Sequence, residues 1–231
     1  GLGFVLIFAL ITSTVGVVYT SGVAELERAR NAERLENMER AFDVLDDNIE
    51  DVYGRGAPSR ATEIKLSGGT FRFGVQTELI VTVNGTSYRA QITPIEYAAH
   101  SGDRIAHAGG ATIRSGGSSN ASVMLDEPPM RFGPESTVIH LVESRSGEET
   151  AVSGSTPVLV RSERDVSQVL VVNTSSPDVA FAVNTTVTRA QSWKRYIESE
   201  LPAGYVAIDD DPSDGRLEYE FETDRLVVSR T

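Results

Sequence analysis

Residues 2–20 read LGFVLIFALITSTVGVVYT, an uncharged apolar run that a charged helical pattern follows without a break. As a helix the run spans ~28 Å, close to the ~30 Å hydrocarbon thickness of a bilayer. Side-chain size is sorted around it. At ~100° per residue, Ala9, Thr12, Ser13, Gly16 and Thr20 share one face, while Phe4, Phe8, Ile11, Val15, Val18 and Tyr19 crowd the other. Lipid needs no such sorting, whereas close helix–helix packing does. Ala9 and Ser13, Thr12 and Gly16, and Gly16 and Thr20 are small residues four apart. Thr12, Ser13 and Thr14 can return their hydroxyls to carbonyls one turn earlier, which makes them tolerable inside a helix. A simple lipid anchor is the other reading of this stretch; the sorting points to a protein partner as well.

Beyond Thr20 the helical period continues. Leu26, Ala29, Ala32, Leu35, Met38, Phe42, Leu45, Ile49 and Val52 recur every three or four residues, with Glu25, Glu27, Arg28, Arg30, Glu33, Arg34, Glu36, Glu39 and Arg40 between them. Gly54 supplies a stop and Pro58 blocks continuation. Unbroken from Leu2 to Tyr53, the helix would reach ~78 Å. The apolar stripe of its second half fits either a two-stranded coiled coil or docking onto a head domain.

The chain of 231 residues carries 33 acidic against 21 basic residues, a formal net charge of −12. Phosphate binding needs a basic face, so nucleic acid is not an expected partner. Only Lys65 and Lys194 among the basic residues are lysines. Acid excess with few lysines is the composition of a halophilic protein, because concentrated salt screens the repulsion between hydrated carboxylates. There is no cysteine, and a chain of this length can bury a core without disulfides.

After Pro58 the texture changes to short β-prone runs separated by turn residues. Ala61–Leu66 and Thr70–Val75 flank Ser67-Gly68-Gly69, and Leu79–Val83 and Thr86–Ile92 flank Asn84-Gly85, a strong hairpin signal. Further strands are predicted at Ala111–Arg114, Ser122–Leu125, Thr137–Glu143, Pro157–Arg161, Val166–Asn173 and Val179–Thr188. Leu217–Phe221 and Arg225–Ser229 read as a final hairpin around Glu222-Thr223-Asp224. One amphipathic helix interrupts them at Arg189–Leu201, with Trp193, Tyr196, Ile197 and Leu201 on its apolar side and Pro202 and Gly204 after it. The expected fold class is α+β: a long N-terminal helix, hydrophobic then amphipathic, carrying a β-rich, sandwich-like head with one inserted helix. The expected division is 1–56 for the helix and 57–231 for the head.

No catalytic constellation can be assembled, and the chain is read as a non-enzyme. His100, His107 and His140 lack a metal-ligand spacing. There is no Gly-x-Ser-x-Gly elbow and no glycine motif that would cradle phosphate. The run Asp209-Asp210-Asp211-Pro212-Ser213-Asp214-Gly215 could offer Asp209, Asp211 and Asp214 to a hard cation. The EF-hand pattern fails there, since Pro212 takes a ligand position and Phe221 stands where the closing glutamate belongs, so an acidic hydrated turn is the simpler reading. Sequons occur at Asn84, Asn120, Asn173 and Asn184, which makes N-linked glycans the expected modification; Asn84, at a hairpin tip, is the most accessible.

Taken together, the residues resemble the type IV pilin-like proteins of haloarchaea. The likeness rests on Leu2-Gly3-Phe4-Val5-Leu6-Ile7-Phe8-Ala9-Leu10, on Glu33-Arg34 with Arg40-Ala41-Phe42-Asp43-Val44-Leu45, on Ala57-Pro58-Ser59-Arg60-Ala61-Thr62-Glu63-Ile64, and on Ile105-Ala106-His107-Ala108-Gly109-Gly110-Ala111. The resemblance implies cleavage by a prepilin peptidase, storage in the cytoplasmic membrane, and assembly by pilus machinery into a homopolymeric helical filament at the cell surface, serving adhesion. Its assembly helix would use Phe4, Phe8, Ala9, Ile11, Thr12, Ser13, Val15, Gly16 and Thr20. Bacterial pilins typically carry glutamate at the fifth mature position, where this chain has Val5, so their charge-based rule for pairing neighbouring subunits does not transfer. A minor or tip subunit with a binding head, and a monomeric membrane-anchored surface protein, are the alternatives.

Overall fold

The computed structural model describes the chain except residues 67, 118–120 and 146–150, together with the side chain of residue 20. Helix α1 (Leu2–Tyr53) is followed by β1 (Ser59–Lys65), β2 (Thr70–Phe73), β3 (Thr77–Val83), β4 (Thr86–Ile92), β5 (Ile95–Ala98), β6 (Arg104–Ala108), β7 (Ala111–Ser115) and β8 (Ser122–Asp126). Then come β9 (Met130–Arg131), β10 (Thr137–Leu141), β11 (Val152–Ser153), β12 (Pro157–Glu163), β13 (Gln168–Asn173) and β14 (Asp178–Asn184). Helix α2 (Val187–Glu200), β15 (Val206–Asp209), a 3-10 turn at Pro212–Asp214, β16 (Arg216–Glu222) and β17 (Leu226–Arg230) complete the chain. The class is α+β, as the sequence implied: one long N-terminal helix, then several sheets with one inserted α-helix.

The chain forms two compact units, Gly1–Asn37 and Met38–Thr231. The expected division at 56/57 falls just after the end of α1, whereas the last sixteen residues of that helix, Met38–Tyr53, belong to the second unit. The physical reason lies in the apolar stripe. Met38, Phe42, Leu45 and Val52 are buried, whereas Leu26, Ala29 and Ala32, on the same predicted stripe, stay exposed.

Four sheets build the second unit among the described residues, in the orders β1-β12, β13-β17-β10-β9, β11-β2-β5-β6-β7-β8 and β15-β16-β14-β3-β4. The Asn84-Gly85 hairpin forms as expected: Val83 pairs with Thr86, and Asn84 and Gly85 both take left-handed backbone, φ 47° and 81°. The final pair does not form a hairpin. β16 joins β14 and β15, while β17 leaves for another sheet and runs parallel to β10. The intervening residues are captured elsewhere: Thr223 Oγ1 donates to the Gly133 carbonyl at 2.8 Å and Asp224 N–H to the Pro134 carbonyl at 2.7 Å. β1 and β2 separate likewise, β1 pairing with β12 and β2 with β5. β5, β6, β9, β11 and β15 are strands beyond those the sequence pattern predicts.

The core draws on the β15-to-β4 sheet, the sheet that contains β10 and β17, and β6 and β7 of the six-stranded sheet, with α2 packed into it. Trp193, Tyr196, Ile197 and Leu201 are all buried, on the side of α2 that the sequence pattern assigned to the core. The Trp193 and Tyr196 rings meet edge to face with centroids 6.1 Å apart. The helix begins at Val187 because Thr186 is its N-cap, accepting from Arg189 N–H. That cap ends the preceding strand at Asn184 rather than at the predicted Thr188.

Candidate functional site

The first unit is a stretch of α-helix whose large apolar side chains face outward. Phe4 is 76% exposed, Phe8 63%, Ile11 57% and Val15 62%. Ala9, Thr12, Ser13 and Gly16 are exposed as well. The backbone at Thr20 is helical, and its side chain lies outside the described residues. α1 is the one helix among the described residues long and apolar enough to cross a membrane. Because the helix is continuous through this stretch, the small residues and the bulky ones keep to opposite faces as their spacing dictates.

Three hydroxyls of this stretch are satisfied internally. Thr12 Oγ1 donates to the Phe8 carbonyl, Ser13 Oγ to the Ala9 carbonyl and Thr14 Oγ1 to the Leu10 carbonyl, each at 2.8 Å. Back-bonding of this kind leaves no bare hydroxyl to desolvate in hydrocarbon or against another helix. Phe4 and Phe8, one turn apart, lie with ring centroids 6.4 Å apart and planes 19° from parallel.

In the second unit, Met38–Tyr53 is fastened to the sheets by contacts that no local motif announces. The Phe42 and Phe71 ring centroids are 6.3 Å apart. Arg114 Nη1 donates to Glu39 Oε1 at 2.8 Å, and Asn48 Nδ2 to Thr62 Oγ1 at 2.9 Å. Arg60 Nε donates to Asp51 Oδ2 at 2.9 Å, and this bond leads the interactions that hold the Asp51 carboxyl below its ordinary range. His107 Nδ1 lies 3.1 Å from Asp46 Oδ1, a close approach without the alignment of a hydrogen bond. Burial raises the nearby Asp126 carboxyl, and the charges of Asp46 and Asp43 push it the same way.

The sequons differ sharply in what their amides do. Asn84 is exposed at its hairpin tip, where its Oδ1 accepts from Asp178 N–H and its own N–H donates to the Asp178 carbonyl, both at 3.1 Å. Asn173 is half-buried and its Oδ1 accepts from Ser175 N–H at 2.8 Å. Asn184 is committed to the fold: Nδ2, the atom a glycan would need, donates to Glu78 Oε2 at 3.0 Å. The hydroxyl of the same sequon, on Thr186, caps α2. Asn120 lies outside the described residues.

The acidic run near the C-terminus is a hydrogen-bonded turn. Asp211 caps the 3-10 turn, with Oδ1 accepting from Ser213 N–H at 2.9 Å, and that backbone bond lowers its carboxyl pKa. Asp209 Oδ1 accepts from Asp211 N–H at 3.4 Å and Asp214 Oδ1 from Arg216 N–H at 2.8 Å. Asp210 takes Lys194 Nζ at 3.0 Å. The carboxylates of Asp209, Asp211 and Asp214 thus each serve a different backbone amide, and the described residues contain no group of three or more His, Cys, Asp and Glu side chains placed to hold a metal ion. Asp178 and Glu78, which orient two of the sequon asparagines, were not singled out in the sequence. They come from strands far along the chain, so no local signal could have found them.

No curated protein and no solved structure matches this chain. Residues 2–231 match the model of DUF7289, a family of unknown function, and the chain belongs to that family.

Proposed function

We propose that this chain is the structural subunit of a type IV pilus-like filament on the surface of an archaeal cell, polymerising through the apolar half of α1. The observation that carries the reading is the state of that helix: its bulky side chains are more than half exposed, while the hydroxyls of Thr12, Ser13 and Thr14 are bonded back to the helix. An apolar helix in that state is suited to two surroundings, the bilayer and a bundle of its own copies. Within the bilayer the hydrophobic effect offers no gain on association, so packing has to come from close approach at small residues. Ala9, Thr12, Ser13 and Gly16 provide that approach. Once the copies leave lipid, burying the bulky face against neighbours stabilises the polymer by ~25 cal/mol per Å² of apolar surface removed from water.

The resemblance to haloarchaeal pilin-like sequences supports the remaining parts of the proposal: processing by a prepilin peptidase, residence in the cytoplasmic membrane before assembly, and adhesion as the filament's role. The excess of acid over base supports a salt-rich setting, where screening lets like-charged heads crowd together. Asn84 and Asn173 are the described positions whose geometry suits glycosylation on an extracellular head. The test is electron microscopy of surface fibres combined with intact-mass measurement of their subunit. Fibres built from this chain are expected; a chain found only as a membrane-bound monomer would overturn the reading.

A further inference from the structure

The β3–β4 tip that carries Asn84 forms one wall of a cleft of about 820 Å³. Gly85 lines it from the tip, Asp178 from the start of β14, and residues 202–206 from the connection between α2 and β15. Its volume falls within the ~300–1,000 Å³ typical of small-molecule sites. The lining combines two chemistries. Tyr205 and Val206 offer apolar surface, with the Tyr205 ring set edge-on to Tyr219 at 5.8 Å. Asp178, Glu220, Glu222 and Asp224 offer carboxylates, which when ionised only accept hydrogen bonds.

A ligand that fits such a lining must bring many hydroxyl donors, apolar C–H faces and no negative charge. That is the chemistry of a neutral saccharide; a phosphate or a nucleic acid would be repelled. The source of the saccharide lies at the rim. Two hydrogen bonds tie Asn84 to Asp178, one from each backbone N–H, and Asp178 itself lines the cleft. The bond to Oδ1 anchors the Asn84 side chain beside Asp178, and Nδ2 is the atom to which a glycan attaches.

We propose that this cleft is a saccharide-binding site whose occupant is the glycan carried by Asn84 of the same chain. The proposal rests on the reading of the chain as an extracellular glycoprotein. The first sugar units fold back from Nδ2 over Tyr205 and hydrogen-bond to the carboxylates of β16, covering an apolar patch that would otherwise face solvent.

The test compares the full chain, isolated from a host that glycosylates it, with Thr86→Ala. That substitution destroys the sequon but keeps Asn84 and both bonds to Asp178. Glycopeptide mass spectrometry reads occupancy at Asn84, and hydrogen exchange reads protection of the cleft. Amides in 202–206 and 220–224 are expected to exchange several-fold more slowly in the glycosylated chain than in Thr86→Ala, with those of β7 unchanged. Equal exchange in the two proteins, with Asn84 occupied, would overturn the proposal, and so would an unoccupied Asn84. A second variant, Tyr205→Ala, is expected to keep the glycan and lose the protection; protection retained in full would count against the site. These readouts are taken on the subunit whether or not it polymerises, so failure here is separable from failure of the filament reading.

Discussion

Tyr53, the last residue of α1, stacks on His140 of β10 with ring centroids 5.4 Å apart and planes 29° from parallel. His140 Nδ1 also meets Ser229 Oγ at 2.6 Å, which links the end of the helix to the parallel pair β10 and β17. Burial lowers the His140 pKa from its ordinary value of 6.5. The unfolded chain therefore takes up the proton first as pH falls, and stability declines wherever it binds more protons than the folded chain. The contribution of neutral His140 is fully present above pH 6.5 and is lost as pH drops through the lower folded value. Denaturation midpoints measured from pH 7.5 downward should fall for the parent chain, and this decline should be shallower in His140→Gln. Parallel curves for the two proteins would remove His140 from the account.

Phe42 and Phe8 lie on the same helix and answer to different environments. Phe42 is fully buried, so Phe42→Ala should destabilise the second unit by about 3–5 kcal/mol, the usual cost of emptying a phenylalanine site. Phe8→Ala removes an exposed side chain and should change that stability by less than about 0.5 kcal/mol. Chemical denaturation followed by Trp193 fluorescence measures both. If Phe8→Ala also stops filament growth, the two halves of α1 have separate tasks.

The small face of α1 is tested by bulk. Gly16→Leu and Ser13→Leu should leave the protein in the membrane, because leucine favours insertion, yet should abolish fibres by holding neighbouring helices apart. A Cβ placed at Gly16 meets no atom within 4 Å beyond the adjoining backbone of its own helix, so the subunit itself accommodates the change. Normal fibres from both variants would refute packing at this face.

Glycosylation of the folded chain should follow the geometry of the amides rather than the number of sequons. Glycopeptide analysis is expected to find Asn84 and Asn173 modified and Asn184 bare, because Asn184 Nδ2 is committed to Glu78. Thr186→Ala, which removes both the third residue of that sequon and the cap of α2, should cost about 1 kcal/mol. A glycan on Asn184 in the parent chain would show that modification precedes folding of β14.

Much of the architecture could be read from periodicity. The helix from Leu2 to Tyr53, the Asn84-Gly85 turn and the apolar face of α2 each depend on residues close in sequence, whose spacing fixes geometry directly. Strand partners depend on something else. Leu217–Phe221 and Leu226–Ser229 alternate as a hairpin would, but an alternating strand buries the same side chains whichever neighbour it finds. The choice fell to Gly133 and Pro134, whose carbonyls take the connecting residues Thr223 and Asp224. β15 leaves no strand signature in the sequence, because Val206, Ala207 and Ile208 remain exposed at a sheet edge, without the one-sided burial that marks a strand.

By itself the sequence determined the helix, its sorted faces, its back-bonded hydroxyls and the β texture of the remainder, because each is set by contacts within a turn or two. Tertiary structure alone decided that Met38, Phe42, Leu45 and Val52 of the α1 stripe are buried within the second unit, and that Asn184 serves Glu78 while Asn84 stands beside a cleft lined by Asp178. Those pairings join residues about a hundred positions apart, and the antiparallel register of β3 against β14, which sets Asn184 opposite Glu78, brings them together.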